Sequence, residues 1–233
     1  MAIKIYELCG KDETRLFSPH CWKTRLSLAH KGLDWDTIPT QFVDVAGLEG
    51  GEKRTVPTIR DGDTVLHESY QIACYLEDQY PDKPSLFNGE GGKELSKFLI
   101  SWSQGTLHPL VAQLCMLDIH NLLDDENRAF FRKSREAMFG ITLEEFDQKF
   151  AKDNTNLVKA MLPLENLLKR QPYLGGDTPL FADYVVFGPL QWLRVSASHD
   201  VMPKEGAVAD WFARLLDMYD GIGRKASAGF TAA

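Results

Sequence analysis

The chain has 233 residues, 44% apolar, 25% charged and 11% aromatic, enough apolar residues for a packed core in one large or two small domains. Its 26 Lys and Arg face 33 Asp and Glu for a net charge of −7, and the densest basic run, Arg132-Lys133-Ser134-Arg135, meets Glu136 at once. A nucleic-acid surface needs a concentrated basic stripe, so that class is excluded and the run reads as a solvated helix face.

The start, Met1-Ala2-Ile3-Lys4-Ile5-Tyr6, alternates as a half-buried strand does and lacks a signal peptide's apolar core. Ser18-Pro19 opens a helix, because serine caps well and proline suits the first helical position; Trp22, Leu26 and Ala29 form its buried stripe and Gly32 ends it. A second strand is predicted around Trp35 to Phe42, and Gly47 to Gly51 reads as a mobile surface loop. Thr55 to Leu66 reads as two short strands joined by an Asp61-Gly62 turn, with Pro57 tolerated at a strand start. Another helix begins near Ser69, with Ile72, Ala73, Leu76 and Tyr80 on one face, and Pro81, Pro84 and Gly89-Glu90-Gly91-Gly92 make a linker.

Beyond that point nearly everything has helical spacing. Phe98, Ile100, Trp102 and Leu107 begin a long helix continuing through Leu110, Leu114 and Leu117, and Asn154 to Leu168 gives another. Gly175-Gly176-Asp177-Thr178-Pro179 is a turn feeding the apolar helix around Asp183, and Trp211, Leu215 and Met218 mark a last helix ended by Gly221. The best apolar stretch, Tyr184 to Leu193, is broken by Gly188 and Pro189 and falls short of the ~20 residues a membrane span needs. This order predicts an α/β domain followed by an all-helical one: residues 1–80, a linker over 81–92, and helices from 93 to 233.

Cys9, Cys21, Cys74 and Cys115 do not make a disulfide framework in a chain this long, which points to a reducing cytoplasm. The six histidines have no metal spacing, and no phosphate loop or nucleophile elbow occurs, so no metal is expected. Three short motifs remain: Ser18-Pro19-His20-Cys21, Val56-Pro57 and Glu68-Ser69.

Each suits a small, anionic, thiol-bearing peptide. Helix starts offer unpaired N–H groups and a positive dipole end. Ser69 can bind a carboxylate and Glu68 an ammonium group, while a cis bond before Pro57 would aim the Val56 main chain at the peptide. Ser18 then lies nearest the thiol, as a hydroxyl donor. Lowering a thiol pKa by about two units from ~8.5 takes ~2.7 kcal/mol. One charge-assisted hydrogen bond of roughly 1.5–3 kcal/mol plus the helix dipole meets that requirement. The alternative for Cys21 is a resolving thiol, since S-x-x-C is a C-x-x-C with its first cysteine replaced; the bland reading is a buried structural residue, as for Cys74 and Cys115.

Together and in this order, these motifs resemble the cytosolic glutathione transferases of serine type. Ile72-Ala73-Cys74-Tyr75-Leu76-Glu77-Asp78-Gln79-Tyr80-Pro81 resembles that family's helix before the linker, and Phe181-Ala182-Asp183 its buried-aspartate motif. A closer resemblance, to the β-aryl-etherase branch, rests on Trp22-Lys23-Thr24-Arg25, His30-Lys31-Gly32, Leu117-Asp118-Ile119-His120, Ser134-Arg135-Glu136 and Tyr219-Asp220-Gly221-Ile222-Gly223-Arg224. The family implies a thioredoxin-like glutathione-binding domain, an all-helical domain with an electrophile pocket, a cytoplasmic homodimer and detoxification chemistry. It implies glutathione as co-substrate, Ser18 stabilising its thiolate, and Val56, Pro57, Glu68 and Ser69 holding the peptide, with Lys53 and Arg54 for the glycine carboxylate. The electrophile, an aryl ether or other aromatic, is expected near Phe17, His20, Trp102, Leu107, Val111 and Leu114. His20 reads either as a proton-transfer group or as an exposed, idle histidine. Two departures stand out. Leu180 replaces the family's capping Ser, Thr or Asn, so Thr178 with Pro179 is expected to cap instead, and the chain stops at Ala233, short of the etherase tails. The rivals are a glutathione-dependent thiol or peroxide reductase and a non-catalytic ligand carrier.

Overall fold

The structure, a computed structural model, describes residues 2–150 and 153–230, so Met1 and Ala233 lie outside the described residues. Strand β1 (Ile3–Leu8) leads through helix α1 (Pro19–His30) to β2 (Trp35–Thr40), and the hairpin β3 (Thr58–Asp61) and β4 (Thr64–His67) runs into α2 (Ser69–Gln79). The sheet order is β2-β1-β3-β4, with β1 parallel to β2 and antiparallel to β3. This is the thioredoxin-like arrangement. Asp61 pairs with Thr64 across a two-residue turn of Gly62-Asp63, one residue later than the sequence reading, and Gly62 takes φ +57°, where glycine carries no Cβ penalty.

The helical part comprises α3 (Glu90–Trp102), α4 (His108–Leu122), α5 (Asp125–Phe139), α6 (Leu143–Phe150), α7 (Thr155–Ala160), α8 (Leu162–Leu168), α9 (Phe181–Ser196) and α10 (Ala207–Lys225). A π-helical turn, Ser103–Leu107, joins α3 to α4 without a break, so the long predicted helix is present. Four local readings change. Asn154 to Leu168 is two helices, parted at Met161 just before Pro163, because proline cannot supply the N–H that would continue the first. Gly89-Glu90-Gly91-Gly92 is not all linker, since α3 starts at Glu90. In α10 helical dihedrals stop after Asp217, and Met218 to Gly221 form a kink, three of its residues in the left-handed region. Gly47 to Gly51 is not a loose loop but the end of a 3₁₀ segment, Phe42–Gly50, tied to the sheet by Glu49, which accepts from the Tyr6 hydroxyl and the Arg60 guanidinium.

The two parts share one core. Leu86 and Phe87 of the connecting segment are buried, the Leu86 carbonyl accepts the Phe181 N–H at 2.7 Å, and Glu77 accepts the Leu86 N–H at 2.9 Å while pairing with buried Lys31 at 2.8 Å. Helix α9 packs along α1, and Gly188 permits it: a Cβ there would sit 2.3 Å from the Pro19 carbonyl oxygen. The break that the sequence shows at Gly188-Pro189 is therefore a contact point within a continuous helix. It presses α9 against the first turn of α1, where Ser18 sits.

Asp183 organises the start of α9. Its buried carboxylate accepts N–H bonds from Leu174 (2.8 Å), Leu180 (2.9 Å), Gly175 (3.3 Å) and the Trp211 indole (2.8 Å). Thr178 takes no part: it is exposed, and the carboxylate itself satisfies the Leu180 N–H at the helix start. Burial raises the Asp183 carboxyl above the ordinary value even with these donors.

Candidate active site

Ser18 is buried at 3% exposure and occupies the N-cap of α1, where its Oγ accepts the Cys21 N–H at 3.3 Å. That bond uses an oxygen lone pair, and Ser18 also lines a cavity. The cavity encloses about 460 Å³ between the two parts of the molecule. One side is a polar ledge of Ser18, Arg54, Thr55 and Val56. The Val56-Pro57 bond is cis, and the Arg54 Nε is buried without a hydrogen-bond partner. The rest of the lining is largely apolar, with Phe42, Met116, Ile119, Phe130, Phe131 and Trp192, and His108 and Arg135 lie among them.

Glu68 and Ser69 do not line this cavity. They open α2, whose N-terminus has no side-chain cap, and Glu68 holds a left-handed backbone at φ +75°, a conformation that costs energy in a non-glycine residue. Thr55 connects them to the ledge, donating to Glu68 Oε1 at 3.3 Å. Lys53 is exposed, whereas its neighbour Arg54 turns inward beside Gly51, so of the two predicted cations it is Arg54 that lines the cavity.

The predicted electrophile wall divides in the same way. Phe17 and His20 line the cavity; Leu107, Val111 and Leu114 are buried in the core, and Trp102 packs against that core away from it. A neighbouring stripe of α4, His108, Met116 and Ile119, about a third of a turn around the helix, lines the cavity instead. Arg135 is the plainest correction: its basic run is not a uniformly solvated face, because this residue is partly buried and lines the cavity. Periodicity locates an apolar stripe but does not say whether it meets a core or a cavity.

His20 is not exposed. Its ring stacks on His108 with centroids 5.0 Å apart and 13° between planes, and buried Lys23 donates to its Nδ1 at 3.2 Å. His108 places Nδ1 3.0 Å from the Ser103 carbonyl, leaving its buried Nε2 without a partner. Burial holds both imidazoles below their usual range, His108 at about 4 and His20 well down, with the Lys23 charge adding to each; burial likewise brings Lys23 to about 8. His30, whose Nδ1 lies 2.7 Å from the Tyr184 hydroxyl, is lowered to about 4, chiefly by burial.

Three histidines that stay neutral when folded but charge when unfolded make stability depend on pH. Below ~6.5 the unfolded chain binds protons that the folded one does not, so stability is lost as pH falls from there toward 4 and is retained above. The slope from each is at most about 1.4 kcal/mol per pH unit. Denaturant unfolding at a series of pH values should show this fall, and His30→Gln should flatten it by up to one proton.

The model of the glutathione S-transferase C-terminal domain matches residues 95–219, and that of the N-terminal domain matches residues 14–84. The chain belongs to the glutathione S-transferase superfamily. Glutathione transferase GSTFuA3 from Phanerochaete chrysosporium is 25% identical with a TM-score of 0.75, over 97% of this chain and 94% of that one. The glutathione S-transferase CsGST63524 of Ceriporiopsis subvermispora, solved in complex with glutathione, is 22% identical with a TM-score of 0.79, over 94% of this chain and 97% of that one. The glutathione S-transferase-like protein ustS of Aspergillus flavus is 25% identical over 211 residues, 77% of this chain and 75% of its own length. Within the glutathione S-transferase fold, the ledge lies on the thioredoxin-like side of the cavity and the apolar wall largely on the helical side.

Proposed function

We propose that the protein is a serine-type glutathione transferase in which Ser18 holds the glutathione thiolate against a cavity that receives an aromatic electrophile. The observation that carries this reading is that one cavity is lined both by polar groups around Ser18 and by the aromatic rings of Phe42, Phe130, Phe131 and Trp192. On the ledge, the Val56 main chain before Pro57 pairs with the cysteinyl backbone of glutathione. The start of α2 with Ser69 takes its γ-glutamyl carboxylate, Glu68 its ammonium, and Arg54, beside exposed Lys53, its glycine carboxylate. In the reaction the thiolate sulfur forms a bond to the electrophilic carbon as the leaving group departs with its electron pair. For an aryl ether, the C–O bond breaks and the phenolate leaves, taking a proton from solvent. A cytoplasmic homodimer goes with this reading, and the 66% exposed ring of Phe98 on α3 offers a contact surface for a second copy.

The test is a pH titration of the thiolate absorbance of bound glutathione. A bound thiol titrating one to two units below the ~8.5 of a free thiol is the expected result, and saturable binding with an unshifted thiol sinks the assignment of Ser18.

A reductase working through Cys21 has little physical support. Its thiol is buried at 1% exposure, faces the Tyr6 carbonyl at 3.9 Å, and is pushed up to about 12, mainly by burial. Cys21→Ser should therefore retain conjugating activity within about twofold, because the serine hydroxyl can bond the same carbonyl. Loss of glutathione-dependent disulfide reduction in that variant would revive the redox reading.

A further inference from the structure

Conjugation of a neutral electrophile leaves one cavity group without a task. Arg135 on α5 places its guanidinium 4.8 Å from the Phe131 ring centre and 6.0 Å from that of Phe42, and donates to the Ser134 hydroxyl at 3.1 Å. Among the described residues no carboxylate pairs with it. The acid next in sequence, Glu136, is engaged by Arg132 at 2.8 Å, and Arg132 also binds Glu144 at 2.7 Å. A guanidinium drawn partly out of water against two aromatic rings has lost solvation that no ion pair returns. The described lining contains Arg54, Arg135, His20 and His108, and neither Asp nor Glu. Arg54 lies on the ledge where glutathione binds, whereas Arg135 lies on the aromatic wall.

We infer that the electrophile carries an anionic group on its aromatic frame, and that Arg135 binds this group while Phe42 and Phe131 receive the ring. The inference rests on the transferase reading for the word electrophile, but not for the anion site itself. Guanidinium geometry favours a carboxylate or sulfonate, which it can bind through two parallel N–H bonds. The substrate class is thus an aromatic acid bearing a leaving group, in preference to a neutral aromatic of equal size.

Two readouts test this. The first is the ratio of kcat/KM for a chloronitrobenzoate to that for neutral chlorodinitrobenzene, measured in wild type, Arg135→Gln and Arg135→Lys. The ratio should fall roughly 10- to 100-fold in the Gln variant and recover in part in the Lys variant. An equal ratio in wild type and Arg135→Gln overturns the inference, as does a variant that raises only the KM for glutathione. The second needs no turnover: anilinonaphthalene sulfonate and neutral phenylnaphthylamine are titrated by fluorescence. Arg135→Gln should weaken the sulfonate about tenfold relative to the neutral probe. If neither electrophile is conjugated but the sulfonate still depends on Arg135, the anion site stands and the transferase reading falls. If conjugation proceeds and neither the ratio nor the probes respond, the anion site falls and the transferase reading stands.

Discussion

Ser18→Ala is expected to return the thiol of bound glutathione toward its solution pKa and to slow conjugation at pH 7 by roughly 8- to 25-fold. The size follows from losing one hydrogen bond to a charged sulfur, about 1.5–3 kcal/mol, which is one to two pKa units. The sign fixes the pH profile. With Ser18 present the bound thiol titrates at ~6.5–7.5, so it is roughly a quarter to three-quarters ionised at pH 7 and the rate levels off above that. Without it the thiolate fraction at pH 7 is small and rises about tenfold per pH unit until it levels near ~8.5, so the deficit closes in alkaline buffer. Ser18 also caps α1 through the Cys21 N–H, and an alanine there costs about 1 kcal/mol of stability. Ser18→Gly separates the two roles, because glycine caps almost as well and has no hydroxyl. An Ala variant whose rate deficit is the same at pH 7 and pH 9 would mean that Ser18 acts only through the fold.

Asp183→Ala should lower stability by about 3–5 kcal/mol, the cost of stranding buried partners of a removed charge. Four N–H donors converge on this carboxylate from the turn before α9, from the helix start and from Trp211 on α10. Removing it leaves all four unsatisfied in the core. At about 2–4 °C per kcal/mol for a chain of this size, the melting temperature should fall by roughly 6–20 °C. Because α9 closes on the Pro19 carbonyl at Gly188, the first turn of α1 should loosen as well, and hydrogen exchange at the Cys21 and Trp22 amides should accelerate. A denaturation midpoint within about 1 kcal/mol of wild type would show that the donors find other acceptors.

Local chemistry made much of this protein legible in its sequence. Ser18 before Pro19 specifies a helix start through capping and a fixed φ, the Asp-Gly pair specifies a hairpin, and Ile72, Ala73 and Leu76 specify a buried helix face. These are short-range effects, set within a few residues of each other, and each is present in the structure, the hairpin turn one residue later, at Gly62-Asp63. Family motifs added the pairing of a thioredoxin-like domain with a helical one, which composition and periodicity only outlined.

Tertiary structure decided the rest. Glu49 anchors a segment that reads as loose because its partners, Tyr6 and Arg60, lie on separate strands. Asp183 replaces the cap that Leu180 cannot supply because its carboxylate reaches back to the Leu180 N–H. Along Leu107 and α4 two apolar stripes compete, and only docking against α9 and α6 leaves Met116 and Ile119, themselves buried, at the cavity while Leu107, Val111 and Leu114 stay within the core. His108 carries no motif, and Arg135, though part of Ser134-Arg135-Glu136, reads as surface in its basic run; folding placed both, partly buried, on the cavity wall. By itself the sequence determined the start of α1 at Ser18-Pro19 and the buried face of α2, because those depend on neighbours along the chain. Which side chains line the cavity depends on contacts between residues a hundred or more apart, and that only the packed structure decides.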